Sequence, residues 1–155
     1  MSISVTPKLV IGVKSSMLVK SEVSDETFEI HDERGQPTGK FKTESTKTLY
    51  LVNEPVKKVK EEGYLEDVTE LLGLVECPKD GEFGFHPTDY ETKDYLETGI
   101  VGIAVVTLND VMYGSQVEVM SHNDIVGVMN LVKATIKHDY GVDVIPQIFL
   151  FANVG

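Results

Sequence analysis

The sequence predicts a single α+β domain spanning 1–155: a mostly antiparallel mixed sheet with two to four helices, ending in a C-terminal β-β-α-β unit. Three observations lead there. The length of 155 residues suits one domain with its own core, and 41% hydrophobic with 25% charged content is ordinary for a folded chain. Short apolar or alternating runs fill the first third, whereas apolar stripes at helical spacing appear only later. No repeat, low-complexity tract or linker divides the chain.

The elements follow in order. KLVIGVK (Lys8 to Lys14) is a short apolar run, TFEIHDE alternates through Phe28 and Ile30, and GKFKTESTKTLYLV offers Phe41 and then Leu49 to Val52. RGQPTG (Arg34 to Gly39) carries paired glycines and a proline, which makes it a hairpin connection. These runs are expected to form an antiparallel meander, with Glu29, Lys40, Lys42 and Glu44 on a face wetted by solvent.

Near Pro55 the period changes. Pro55 suits a first helical position before VKKVKEE, which would stop at Gly63. In YLEDVTELLGLVE, Val68, Leu71, Leu72 and Val75 fall at i, i+3, i+4, i+7, the stripe of an amphipathic helix ended by Cys77-Pro78. TDYE (Thr88 to Glu91) reads as a capping box opening a short helix from Asp89 to Glu97, with Gly99 as its stop. Ile100 to Leu108 is a buried strand, and SQVEVM its hairpin partner.

The last helix has the fullest signature. Ile125, Val128, Met129, Val132 and Ile136 mark its core face, Ser121 or Asn123 its cap, Asp124 its positive first turn, Lys137 its last turn and Gly141 its stop. VDVIPQIFLF returns as a strand whose Pro146 points to a sheet edge or bulge.

Net charge is −11, and it is unevenly spread. Residues 1–60 hold 8 acids and 10 bases, residues 61–99 hold 12 acids and 2 bases, and residues 100–155 hold 5 acids and 2 bases. Only Arg34 supplies a guanidinium, so clustered cations that grip phosphates are missing and direct nucleic-acid binding is not expected. A lone Cys77 forms neither an internal disulfide nor a multi-cysteine zinc site. The first residues lack a basic n-region, and no stretch approaches the roughly 20 apolar residues of a spanning helix. A cytoplasmic chain with no membrane partner is the expectation.

The four histidines are His31, His86, His122 and His138. His86 stands out because it lies in a long irregular segment among acids and rings, CPKDGEFGFHPTDYETKDYLE. Asp80, Glu82, Asp89 and Glu91 lack the spacing that gathers carboxylates around a cation: counted as a calcium loop from Asp80, the sixth position is Phe85 rather than glycine. HExxH, G-x-S-x-G and the phosphate-binding loop are all absent from the sequence. No cofactor, metal or catalytic residue is therefore expected.

The leading expectation is a non-catalytic binding protein, an inhibitor or assembly subunit. Its acidic, ring-bearing region 61–99 would dock on a basic protein or on the basic face of a larger complex, in charge character like a nucleic-acid mimic. The docking residues would be Glu66, Asp67, Glu70, Asp80, Glu82, Phe83, Phe85, Asp89, Tyr90, Glu91 and Asp94. Two alternatives stand beside it: a small metal-dependent or histidine-based hydrolase using His86 with Asp89, and a structural homo-oligomer joined through the C-terminal strand QIFLFANV.

Overall fold

The computed structural model describes residues 5–54, 58–59, 65–88, 98–107 and 120–154. They form an α+β domain with two helices and two antiparallel sheets. The first sheet has the order β5-β6-β1-β7, where β1 is Val5–Lys14, β5 is Phe83–Pro87, β6 is Gly99–Thr107 and β7 is Gln147–Val154. The second joins β2 (Val19–His31), β3 (Pro37–Leu51) and the two-residue β4 (Lys58–Val59). Helix α1 spans Leu65–Leu72 and α2 spans His122–Tyr140.

β1 does not join the expected meander. It lies at the centre of the first sheet, antiparallel to β6 on one side and to β7 on the other. The cause is its composition. A strand carrying Leu9, Val10, Ile11 and Val13 in one run has no wet face, so it stabilises the fold only where both faces are covered. Ile11 and Val13 join Phe85, Val101 and Ile103 on the face that meets Val68, Leu71 and Leu72 of α1 and Val132 and Ile136 of α2. The opposite face gathers Val10, Ile100 and Ala104, with Phe149 and Phe151 packed against them.

Two glycines set how closely the central strands approach. Gly12 faces Gly102 across β1 and β6, and a Cβ on Gly102 would lie 2.1 Å from the Ile11 carbonyl oxygen. Only glycine fits so near a neighbouring backbone.

Helix α2 is held as its sequence requires. The Ser121 hydroxyl accepts from the Asp124 N–H, and Gly141, at φ 67, ends the helix with its N–H bonded to the Lys137 carbonyl. Helix α1 is shorter than expected. Gly73 adopts φ 67 and donates to the Glu70 carbonyl, so it acts as a C-terminal cap rather than an interior residue, and Val75 beyond it is exposed. Of the expected helix over Val56 to Glu62, Lys58 and Val59 instead form β4, where backbone pairing with Leu49 and Thr48 holds them extended; its other residues, the whole of the expected helix from Asp89 to Glu97, and the strand SQVEVM up to Val119 lie outside the described residues.

The segment expected to be irregular contains a strand. β5 pairs with β6 from Phe83 to Pro87, and its far edge bonds to the backbone of Val75 and Cys77. That edge of the sheet is therefore closed. β7, at the other end of the sheet, has no strand beyond it among the described residues.

Candidate functional site

The acidic region is spread over several elements. Glu66 and Glu70 are exposed on α1, and Asp67 is half-buried there. Asp80 has a structural task, since its carboxylate accepts from the Thr107 N–H (3.0 Å) and hydroxyl (2.7 Å) and so ties the turn before β5 to the end of β6. Glu82 is exposed in the same turn. Phe83 is half-buried, and Phe85 is fully buried in the core, so its ring is not a surface anchor. Although β5 ends the sheet, a ring opposite Val101 of β6 is drawn inward by the same apolar face that holds α1. Asp89, Tyr90, Glu91 and Asp94 lie outside the described residues.

Glu70 instead meets acids from elsewhere in the chain. An open groove of about 560 Å³ is bordered by Glu54, Glu70 and Asp139, with Leu71, His138 and Tyr140 beside them. The ends of both helices converge there. The Tyr140 hydroxyl donates to the Leu72 carbonyl (2.7 Å), and Asn53 donates to the Gly141 carbonyl (2.7 Å), which fixes the α2 terminus against α1 and the end of β3. Burial, and then the Asp139 charge, push the Tyr140 phenol up to about 12, because both disfavour a phenolate.

His86 is not in a loop but in β5, and it is 1% exposed. Its Nε2 lies 3.3 Å from the Gly102 carbonyl, and among the described residues its Nδ1 has no hydrogen-bond partner. Burial, and then the nearby Lys8 charge, lower its pKa to about 4, against smaller opposing effects of the Gly102 bond and Asp80. The ring is thus neutral at pH 7, with Nε2–H donating. Among the described residues no carboxylate bonds to it. His31, His122 and His138 are exposed, and His138 pairs with Asp139 (2.9 Å). Among the described residues no three His, Cys, Asp or Glu side chains lie together as a metal site.

The feature that the sequence shows only in part is the ribbon formed by β2 and β3, whose first eight residues, Val19 to Glu26, were not expected to be strand. TFEIHDE and GKFKTESTKTLYLV, joined by RGQPTG, form the expected hairpin, and pairing continues beyond TFEIHDE down to Val19↔Leu51, from His31↔Pro37 near the tip. At about 3.3 Å per residue the ribbon reaches roughly 40 Å. Its base enters the core through Leu18, Val19 and Leu49, but from Lys20 to His31 and from Pro37 to Ser45 every side chain but the half-buried Glu29 is exposed. The available signal was β-branched spacing, with Val19, Val23 and Thr27 on one strand and Thr43, Thr46 and Thr48 on the other.

Local contacts shape this ribbon. Asp32 accepts from the N–H groups of Arg34 and Gln36 and closes the tip, where Gly35 takes φ 76. A bulge follows, with Gly39 at φ 73, its N–H donating to Glu29, and Thr38 donating to the Ile30 carbonyl. Thr27 meets Thr43 (3.1 Å), Tyr50 donates to Glu22 (3.1 Å) and Lys42 pairs with Glu44 (3.3 Å). Large apolar side chains nevertheless face solvent: Val23 and Phe41 are each 66% exposed, with Phe28 and Ile30 also open.

The described residues define an α+β protein with two helices in its body and a projecting antiparallel ribbon. No protein-family model, curated protein or solved structure matches the chain significantly. No described helix is long and apolar enough to cross a membrane.

Proposed function

We propose that the protein is a non-catalytic assembly subunit whose ribbon is the arm that engages a neighbour. One observation carries this reading: the ribbon extends far beyond the core while presenting Val23, Phe28, Ile30 and Phe41 to solvent. An isolated two-stranded ribbon is marginally stable in water, and exposed rings on it gain cover only from another surface. Among the described residues nothing in the body requires so long an arm, since its buried core contribution ends at Val19 and Leu49.

The test is truncation. Replacing Ser24 to Thr46 with an Asn-Gly turn keeps Val19–Val23 paired with Lys47–Leu51 and leaves the core intact. The shortened chain is expected to keep its melting transition and to drop out of the large species with which the full chain co-migrates on gel filtration of its native extract. Unchanged co-migration overturns the reading.

A second reading keeps the acidic character in narrower form. The groove bordered by Glu54, Glu70 and Asp139 supports docking of a basic segment, because three carboxylates there adjoin the negative ends of two helices. Glu70→Lys with Asp139→Lys would abolish capture of a lysine-rich peptide; capture that is unchanged removes this reading.

A further inference from the structure

The two strands of the ribbon carry opposite charge. β2 holds Glu22, Asp25, Glu26 and Glu29 against Lys20 alone, whereas β3 holds Lys40, Lys42 and Lys47 against Glu44 alone. Both strands also have a free side. Among the described residues β2 pairs only with β3, and the outer side of β3 is covered by β4 only at Thr48 and Leu49. The ribbon therefore presents one acidic and one basic open edge, each ten or more residues long.

Within the chain this charge is imperfectly matched. Glu26 stands directly opposite Glu44, a like pair that costs stability, and Lys42 serves Glu44 but not Glu26. An outside strand bearing lysines at β2 would relieve that repulsion. The chain itself supplies such a strand. Resting on the assembly reading above, we infer that the neighbour is a second copy of this chain, and that ribbons associate side by side, β2 of one copy against β3 of the next.

The register follows from the pleat. A slide of an even number of residues keeps each side chain on its own face. From the in-chain register, a slide of two residues sets Glu26 opposite Lys42 of the neighbour. Two residues of stagger for every two strands is the shear at which closed barrels tilt their strands by about 36°. Because the two edges differ, the contact is head-to-tail: it makes a ring if the rotation closes and a fibre if it does not. On each face, Val23, Phe28, Ile30 and Phe41 gain a flanking strand and lose exposure to water.

The experiment uses the full chain in sedimentation velocity, over a range of concentration and from about 0.05 to 0.5 M salt. The wild type is expected to associate, and less so as salt rises. Glu22→Lys with Glu26→Lys makes both edges basic; Lys40→Glu with Lys42→Glu makes both acidic. Each variant alone is expected to associate about tenfold or more weakly. An equimolar mixture of the two is expected to regain assembly, since each seam again joins opposite charges. Far-ultraviolet circular dichroism confirms that the variants are folded, and a chain with all four substitutions is expected to assemble by itself.

Three results overturn the inference: a wild type that stays monomeric throughout, reversed variants that assemble like the wild type, or a mixture that remains monomeric. If assembly survives ribbon reversal but is lost on Leu150→Lys, the open β7 edge is the contact instead. A monomeric wild type that still needs its ribbon to enter the large native species leaves the assembly reading standing and removes only the self-association.

Discussion

Lowering the pH places a defined load on one side chain. His86 titrates at about 4 in the folded chain against an ordinary 6.5. Between these values the unfolded chain binds a proton that the folded chain refuses, so stability rises with pH across this window and falls as the medium is acidified. Below about 4 both states are protonated and the contribution levels off. At about 1.4 kcal/mol per pKa unit, the loss from pH 6.5 to 4 is on the order of 3 kcal/mol. That is a large share of the stability of a domain this size. The charged groups that act on His86 are Lys8, which helps hold it neutral, and Asp80, which opposes. The 25 carboxylates of the chain also titrate in this range, so the wild-type curve by itself does not isolate the histidine. The comparison is with His86→Phe, which removes the titration together with the unpartnered Nδ1 and the bond to Gly102. Urea unfolding of both chains from about pH 7 to pH 4 is the assay. Near pH 7 the two are expected to lie within about 1 kcal/mol of one another, since a lost donor offsets a relieved orphan atom. The gap is then expected to move by about 3 kcal/mol in favour of phenylalanine as the pH falls. Parallel curves through the window would refute the reasoning.

Other consequences are more local. Gly102→Ala drives a methyl into the Ile11 carbonyl and is expected to cost about 3 kcal/mol in urea unfolding, whereas Gly35→Ala, at positive φ but in open space, is expected to cost about 1 kcal/mol. Equal losses at the two sites would sink the argument from close strand approach. Tyr140→Phe removes the bond to the Leu72 carbonyl; about 1 kcal/mol of destabilisation is expected, and the phenol that titrates at about 12 should vanish from the ultraviolet titration.

What could be read from the sequence depended on whether local pattern and tertiary packing agreed. β6 and α2 were legible because an unbroken apolar run and a capped apolar stripe are each determined within a short window. Helix α1 was read too long because Gly73 is compatible with a helix interior at modest cost, and only its left-handed conformation makes it a stop. The half of β2 nearest the body escaped notice for the opposite reason. A strand exposed on both faces has no alternation to detect, so VKSEVSDE looks like a polar loop. β5 was hidden by Gly84 and Pro87, and the burial of Phe85 and His86 depends on β6, whose Gly102 lies 16 residues beyond the histidine. An acid-rich stretch likewise says nothing of which acids share a surface. Asp80 is bound to Thr107, while Glu70 lies by Glu54 and Asp139.

The division between body and ribbon is itself a physical argument about where interaction falls. In the body, α1 and α2 share their core with the ribbon's base, and the described residues leave the Tyr140 and Asn53 bonds to lock that junction. A rigid base of this kind transmits position to the arm above it. The arm has no core of its own, and its pairing rests on exposed threonine, serine and carboxylate contacts that water competes for. Such a ribbon is held out by its base yet incompletely stabilised along its length. Pairing with a further strand adds backbone hydrogen bonds at an edge whose direction is already fixed, so little ordering entropy remains to oppose it. The same polarity that concealed Val19 to Glu26 in the sequence keeps the free chain from collapsing onto the ribbon, and leaves its charge pattern to select what binds.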